Sequence, residues 1–209
     1  MPRSQLLFAT LGLTVVVTLL VRIALDVDSQ GGVAGAVVSM LRFFTIWTNI
    51  LLAGTCFWLA MGIAEGWSAR RISLASAATL FIVFVGVVYH MLLSATHEPT
   101  GVQIYTNILF HYVLPAAMLA MWLSLVPKGR LLFRSAVVWL AFPLAYLVFA
   151  LIRGAVIGDY PYFFIDVGTY GYPQVLLNAA GFTLLLLVLG TGLVALDRAL
   201  DRFRKARAL

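Results

Sequence analysis

The chain has 209 residues, of which 63% are hydrophobic and 11% are charged, and its mean hydropathy is +1.02. Soluble domains average about 45–50% apolar and about 25% charged residues, so this composition excludes both a soluble globular protein and a disordered chain. The net charge is +6, and the positions of the basic residues decide whether it indicates nucleic-acid binding. The single cysteine excludes an internal disulfide. No Cys or His cluster indicates a metal site.

Six stretches along the chain have the length and composition of membrane-spanning helices. A spanning helix needs about 20 predominantly apolar residues. We therefore predict an all-α polytopic membrane protein that forms a single domain over residues 1–209. Only Arg3 precedes the first stretch and no small-residue cleavage site follows it, so a retained helix is expected there and not a signal peptide. The predicted spans are about 5–25, 39–64, 74–96, 104–127, 131–153 and 173–196.

The basic residues are concentrated on one side of these six spans. Eleven of the 14 lie in the N-terminus, the 65–73 turn, the 128–134 turn and the C-terminal tail, whereas the other connections carry Asp26, Asp28, Glu98, Asp159 and Asp166. Because cytoplasmic loops are enriched in Lys and Arg, both termini are predicted to be cytoplasmic. The excess charge then contacts lipid headgroups, and no nucleic-acid partner is expected.

The polar side chains inside the spans share one depth. At 1.5 Å per residue, Thr45 lies roughly 9 Å and His111 roughly 10 Å from the outer ends of spans 2 and 4. His90 of span 3 lies about as deep. Intramembrane polar groups normally face the bundle interior, where they find partners. Other polar residues in this outer third are Arg22, Arg42, Asn107, Arg153 and Asn178.

Helical spacing groups some of these residues on common faces. Arg42, Thr45 and Asn49 stand at i, i+3 and i+7 on span 2, and Asn107 and His111 stand four residues apart on span 4. These faces are expected to point at one another.

Other polar residues in this third have simpler expected roles. Interhelical hydrogen bonding is the expected role of Asn107 and Asn178. Arg22 and Arg153 are expected to extend toward the headgroups.

A hydroxyl and an imidazole at matched depth are the groups that nucleophilic catalysis requires. A threonine hydroxyl is a poor nucleophile unless an adjacent base takes its proton, and neutral histidine can accept that proton and return it to a leaving alcohol. Thr45 and His111 are therefore candidates for a nucleophile and its base. Spacing alone leaves a purely structural polar cluster as the alternative.

Three short motifs resemble a known family. They are Phe43-Phe44-Thr45-Ile46-Trp47-Thr48-Asn49, His111-Tyr112-Val113-Leu114-Pro115, and the aromatic-proline-acidic stretch 158–166. In order and spacing the chain resembles the androgen-induced-gene membrane protein family, in particular its bacterial six-helix branch. Animal members are intramembrane threonine hydrolases that cleave fatty acid esters of hydroxy fatty acids. The resemblance implies a hydrolase in which Thr45 is the nucleophile, His111 is the base, and Asp166 matches the acidic residue that ends the third motif.

Accessory roles follow from these assignments. An ester hydrolase needs a donor to the oxyanion, and Asn49 and Arg42 flank Thr45 on its helix face. Asp166, Asn107 or His90 are the candidates for orienting His111. The aromatic 154–172 connection has the composition either of a lid or of an ordinary interfacial belt. No cofactor is expected, and the expected partners are membrane lipids and a lipid ester substrate.

Two other classes of function fit parts of the sequence. His90 and His111 at one depth could be the axial ligands of a haem in a redox protein. A small transporter or scaffold could use the polar cluster to bind solute or to hold helices together, although no acidic residue lies inside the spans and no paired broken helices are indicated.

Overall fold

The computed structural model describes residues 3–62 and 66–207. Within these residues the chain is helical and contains no strand, and six helices are long and apolar enough to cross a membrane. The prediction of an all-α polytopic membrane protein is confirmed. The six helices, called spans 1 to 6 below, are Arg3–Asp26, Phe44–Gly62, Ala69–Leu93, Gln103–Leu125, Phe133–Ile157 and Val167–Arg207.

The predicted second span, 39–64, is not one helix. A short outer helix, Val33–Leu41, ends before Arg42, and span 2 begins afresh at Phe44; residues 63 and 64 lie outside the described part of the chain. Side chains from elsewhere satisfy the main chain at the break. The Trp47 indole donates to the Leu41 carbonyl at 2.7 Å, and the Tyr146 hydroxyl donates to the Arg42 carbonyl at 2.7 Å. Hydropathy does not reveal the break because apolar residues flank it on both sides.

Spans 5 and 6 contain local irregularities that hydropathy also misses. Span 5 consists of Phe133–Trp139 and Ala141–Ile157 joined at Leu140. Pro143 lacks the amide that would bond to the Trp139 carbonyl, which accounts for a break there. Span 6 starts at Val167, not at about 173, and bends at Gly171, where φ is 71°. The long predicted connection at 154–172 therefore shortens to residues 158–166, called the outer loop below.

The basic turns and the tail meet at one end of the bundle, as the charge pattern predicts. Arg130 donates to the Trp67 carbonyl at 3.0 Å, and Arg204 of the tail donates to the Leu123 carbonyl at 2.9 Å. The buried carboxylate of Asp197 accepts the main-chain amides of Gly129 and Leu131, which fixes the turn between spans 4 and 5. The polar cluster lies near the opposite end, enclosed by the short outer helix and the outer loop.

Candidate active site

The structure brings Thr45 and His111 together. Thr45 is the second residue of span 2, and its Oγ1 lies 3.5 Å from Nε2 of His111 on span 4. This distance is at the long end of the hydrogen-bond range, which is common for a nucleophile and its base before substrate binds. The helix break at Arg42 places Thr45 in the first turn of span 2 and not within a continuous helix.

His111 lies on a π-helical segment, Leu109–Val113, inside span 4. Pro115 has no amide to bond to the His111 carbonyl four residues earlier, so the regular α-helical pattern cannot continue through this turn. The π segment leaves Nδ1 of His111 3.0 Å from the Asn107 carbonyl. A carbonyl only accepts hydrogen bonds, so Nδ1 carries the proton and Nε2 presents its lone pair to Thr45. This tautomer is the one that a general base requires.

Tyr89 fixes the plane of the imidazole. Its ring stacks on the His111 ring, with centroids 3.8 Å apart and planes 15° apart. The Tyr89 hydroxyl accepts the side-chain amide of Asn107 at 2.7 Å. Asn107 thus orients His111 in two ways, directly through its carbonyl and indirectly through Tyr89. The interhelical hydrogen bond expected of Asn107 is present in this contact.

Asn49 lies away from the position of an oxyanion donor. It is fully buried, its Nδ2 donates to the Thr45 carbonyl at 2.8 Å, and it lines neither of the chambers described below. Its contact supports the first turn of span 2 from within the bundle.

Two other candidates also lie away from the Thr45–His111 pair. Asp166 caps span 6, accepting the Thr169 amide at 3.2 Å and the Thr169 hydroxyl at 2.8 Å. His90 is exposed, and its Nδ1 lies 3.2 Å from the Tyr112 hydroxyl. Neither side chain orients His111. His90 also does not share a chamber with His111, so the geometry gives no support to a haem held between these two histidines.

Arg42 joins the site to the outer loop. Its Nη1 lies 2.7 Å from Oδ2 of Asp159, and Arg153 contacts the same carboxylate at 3.3 Å. Burial acts to raise the pKa of Asp159, but the hydrogen bonds and positive charges of the two arginines hold this pKa below its ordinary value. Arg42 therefore anchors the loop, although it also lines the chamber that contains Thr45.

The remaining polar residues of the outer third also find partners within the protein. Arg153 and Arg22 were expected to extend to headgroups. Instead Arg153 pairs with Asp159, and Arg22 pairs with Asp26 at 2.9 Å. Asn178 donates to the Phe164 carbonyl at 2.9 Å, within the short 3-10 helix Phe163–Ile165 of the outer loop.

Two chambers adjoin at Thr45, which lines both of them. The apolar chamber encloses about 760 Å³ including its mouth, and Phe84, Val88, Leu147, Phe182 and Leu186 are among its walls. The polar chamber encloses about 1230 Å³ on the same measure, and Arg22, Asp26, Arg42, His97 and His111 are among its walls. Four residues line both chambers: Thr45, Tyr89, Leu93 and Tyr162.

Two tyrosines at this junction were not identified from the sequence. Tyr89 precedes His90 and resembles any interfacial aromatic residue. Tyr162 lies in a stretch whose composition fits an ordinary aromatic belt as well as a lid. One signal for Tyr89 exists, because it stands next to an intramembrane histidine on a predicted span. For Tyr162, the only sequence signal is its position in the third motif.

Comparisons with protein-family models, with curated proteins and with solved structures find no match to this chain.

Proposed function

We propose that this protein is an intramembrane hydrolase of lipid esters, with Thr45 as the nucleophile and His111 as the general base and acid. The observation that carries the proposal is the placement of the Thr45 hydroxyl. It lies 3.5 Å from the unprotonated nitrogen of a fixed imidazole and at the junction of an apolar and a polar chamber. The resemblance to the androgen-induced-gene family supports the same pair of residues.

The reaction proceeds in two steps. Thr45 Oγ1 attacks the ester carbonyl carbon while His111 Nε2 takes the hydroxyl proton, and the carbonyl electron pair moves to oxygen. When the tetrahedral intermediate collapses, the bond to the alcohol breaks and His111 donates its proton to the departing oxygen. Water then attacks the acyl-threonine ester by the same route, with His111 taking a proton from water and returning it to the Thr45 oxygen.

The two chambers indicate how a lipid ester binds. The apolar chamber has the walls that an acyl chain requires, whereas the polar chamber accommodates the alcohol portion beside Arg42 and His97. Fatty acid esters of hydroxy fatty acids, the substrates implied by the resemblance, are of this kind. A site near the outer end of the bundle suits an amphiphile whose ester lies just below the headgroups. The resemblance to a bacterial branch further implies a location in the plasma membrane.

The proposal is tested by turnover of medium-chain and long-chain acyl esters by purified protein in detergent or nanodiscs. The parent is expected to hydrolyse these esters, and Thr45→Ala and His111→Ala are expected to lose activity while thermal unfolding and detergent elution profiles stay unchanged. Thr48→Val is the matched control, because Thr48 is a threonine of the same helix that is fully buried and lines neither chamber.

The outcomes distinguish the proposal from a structural role of the polar cluster. Retained turnover in Thr45→Ala would show that another group is the nucleophile. Equal loss in Thr48→Val and Thr45→Ala, with lowered melting temperatures in both, would show that threonines on span 2 serve packing and not chemistry.

A further inference from the structure

Tyr162 of the outer loop contacts the first turn of span 2, where the proposed nucleophile lies. The Tyr162 hydroxyl accepts a hydrogen bond from the amide of Phe44, the residue directly before Thr45, at 2.9 Å. Tyr162 lines both chambers, whereas His111 lines only the polar one. A carbonyl attacked by Thr45 in this position therefore lies near both the base and the phenol.

The first turn of span 2 supplies a second donor at the same place. Phe44 and Thr45 are the first two residues of the helix, and amides in the first turn have no acceptor within the helix. The positive end of the helix dipole also favours negative charge there. The Thr45 amide stays close to any carbonyl bonded to its own Oγ1, because both belong to one residue.

We propose that the Tyr162 hydroxyl and the Thr45 main-chain amide form the oxyanion hole of this hydrolase, which makes Tyr162 a third catalytic residue. The inference rests on the proposed function. As the carbonyl electron pair moves to oxygen, the phenol turns its proton toward that oxygen and donates a hydrogen bond. No proton is transferred in this step. His111 keeps the proton taken from Thr45.

The state of the phenol suits this role. Burial raises the pKa of Tyr162 above its ordinary value, and this effect outweighs neighbouring hydrogen-bonding groups that act to lower the pKa. The hydroxyl therefore remains protonated at neutral pH. The hydroxyl oxygen already accepts a hydrogen bond from the Phe44 amide. The hydroxyl can therefore donate a hydrogen bond to a substrate through its proton.

The outer loop holds the phenol in a fixed position, which is the condition for effective electrostatic stabilisation. The Tyr162 ring stacks on Phe164, with centroids 5.1 Å apart and planes 5° apart. The Asn178 amide holds the Phe164 carbonyl at 2.9 Å. At the other end of the loop Asp159 pairs with Arg42 and Arg153. Ion pairs and a hydrogen bond thus fix the loop on both sides of Tyr162.

The test compares Tyr162→Phe with the parent in turnover and in inhibitor binding. Loss of one oxyanion donor lowers kcat by about 10²–10³ in other hydrolases, and we expect a loss of this order with KM nearly unchanged. A trifluoromethyl ketone, which forms an oxyanion adduct with the nucleophile, should lose affinity by a similar factor. An ether analogue of the ester, which develops no charge, should bind as it does to the parent. Tyr160→Phe is the matched control, since Tyr160 belongs to the same loop and lines neither chamber.

Each other outcome overturns the inference. If kcat and ketone affinity stay within about threefold of the parent, Tyr162 is not an oxyanion donor, while a Thr45-dependent and His111-dependent turnover would leave the proposed function intact. If ketone and ether lose affinity equally, Tyr162 serves only the shape of the site. Should Tyr162→Phe fail to fold, 3-fluorotyrosine is placed at position 162, because it retains the ring and the hydroxyl. If the ratio of ketone affinity to ether affinity in that protein equals the ratio in the parent, the inference is contradicted.

Discussion

Gly86 of span 3 lies directly against the main chain of His111, the proposed base. A Cβ atom on Gly86 would lie 2.6 Å from the His111 carbonyl oxygen and 3.4 Å from Cγ of Pro115. Carbon–oxygen contacts of this kind normally measure about 3.3–3.6 Å. Gly86→Ala therefore requires the His111 main chain to retreat by roughly 0.7 Å. The obstructing atom belongs to the main chain, so a change of rotamer cannot relieve the contact.

This displacement is large compared with the tolerance of the site. The Thr45–His111 distance is already 3.5 Å, at the limit for a hydrogen bond, so a shift of this size disturbs the alignment of the pair. Misplacement of reacting groups by about 1 Å can cost roughly 10²-fold in rate. We expect Gly86→Ala to lower kcat by about 10- to 100-fold, with a parallel slowing of labelling by a fluorophosphonate probe. Overpacking at a helix contact costs typically about 1–3 kcal/mol, so a moderate loss of thermal stability accompanies it.

Gly181→Ala in span 6 is the matched control. A Cβ atom there meets nothing within 4 Å, and Gly to Ala within a helix otherwise stabilises by about 0.5–1 kcal/mol. Its activity should equal that of the parent and its melting temperature should be equal or higher. If Gly86→Ala retains kcat and labelling rate within twofold of the parent, the close approach of spans 3 and 4 does not set the geometry of the base.

Three further outcomes follow from the contacts of the site. Asn49→Leu should keep kcat within a few-fold of the parent, because the side-chain amide of Asn49 bonds to a main-chain carbonyl; a 10²-fold loss in the kinetic assay would identify it as an oxyanion donor. His90→Ala should retain full turnover since His90 points outward, and a loss of activity without a change in melting temperature would contradict that. The depressed pKa of Asp159 means that its ion pairs stabilise the protein above the unfolded-state pKa of about 4, and that this contribution is lost as pH falls through the folded-state pKa. The difference in melting temperature between the parent and Asp159→Asn should therefore be constant above about pH 5 and should shrink at lower pH; a difference that persists at low pH would show that the carboxylate charge is not its cause.

Hydropathy predicts the six spans because burial in a bilayer imposes one simple requirement, about 20 apolar residues in a row. The same requirement places Thr45 and His111 at a common depth. Depth does not specify rotation about the helix axis, however. His90 has the depth of His111 but faces outward, because its neighbour Tyr89 occupies the inward position and successive helical residues point in different directions.

The local helix breaks around the site could not be predicted from the hydropathy pattern. The helix break at Arg42 depends on hydrogen bonds that Trp47 and Tyr146 donate and on one that Tyr162 accepts; both tyrosines lie about a hundred residues away. The π segment around His111 has a local cause in Pro115, but a proline in a span more often produces only a bend. Long-range contacts therefore decide which polar residues line the chambers and which support them.

The central claim is that Thr45 forms a covalent bond during turnover, and peptide mass spectrometry after fluorophosphonate labelling tests it most directly. Attack by Thr45 Oγ1 on phosphorus expels fluoride and leaves a stable phosphonyl ester. We predict that this adduct is found on Thr45, that labelling is lost in Thr45→Ala and His111→Ala, and that it persists in Thr48→Val. An adduct located on any other residue, or equal labelling of Thr45→Ala and the parent, would contradict the account.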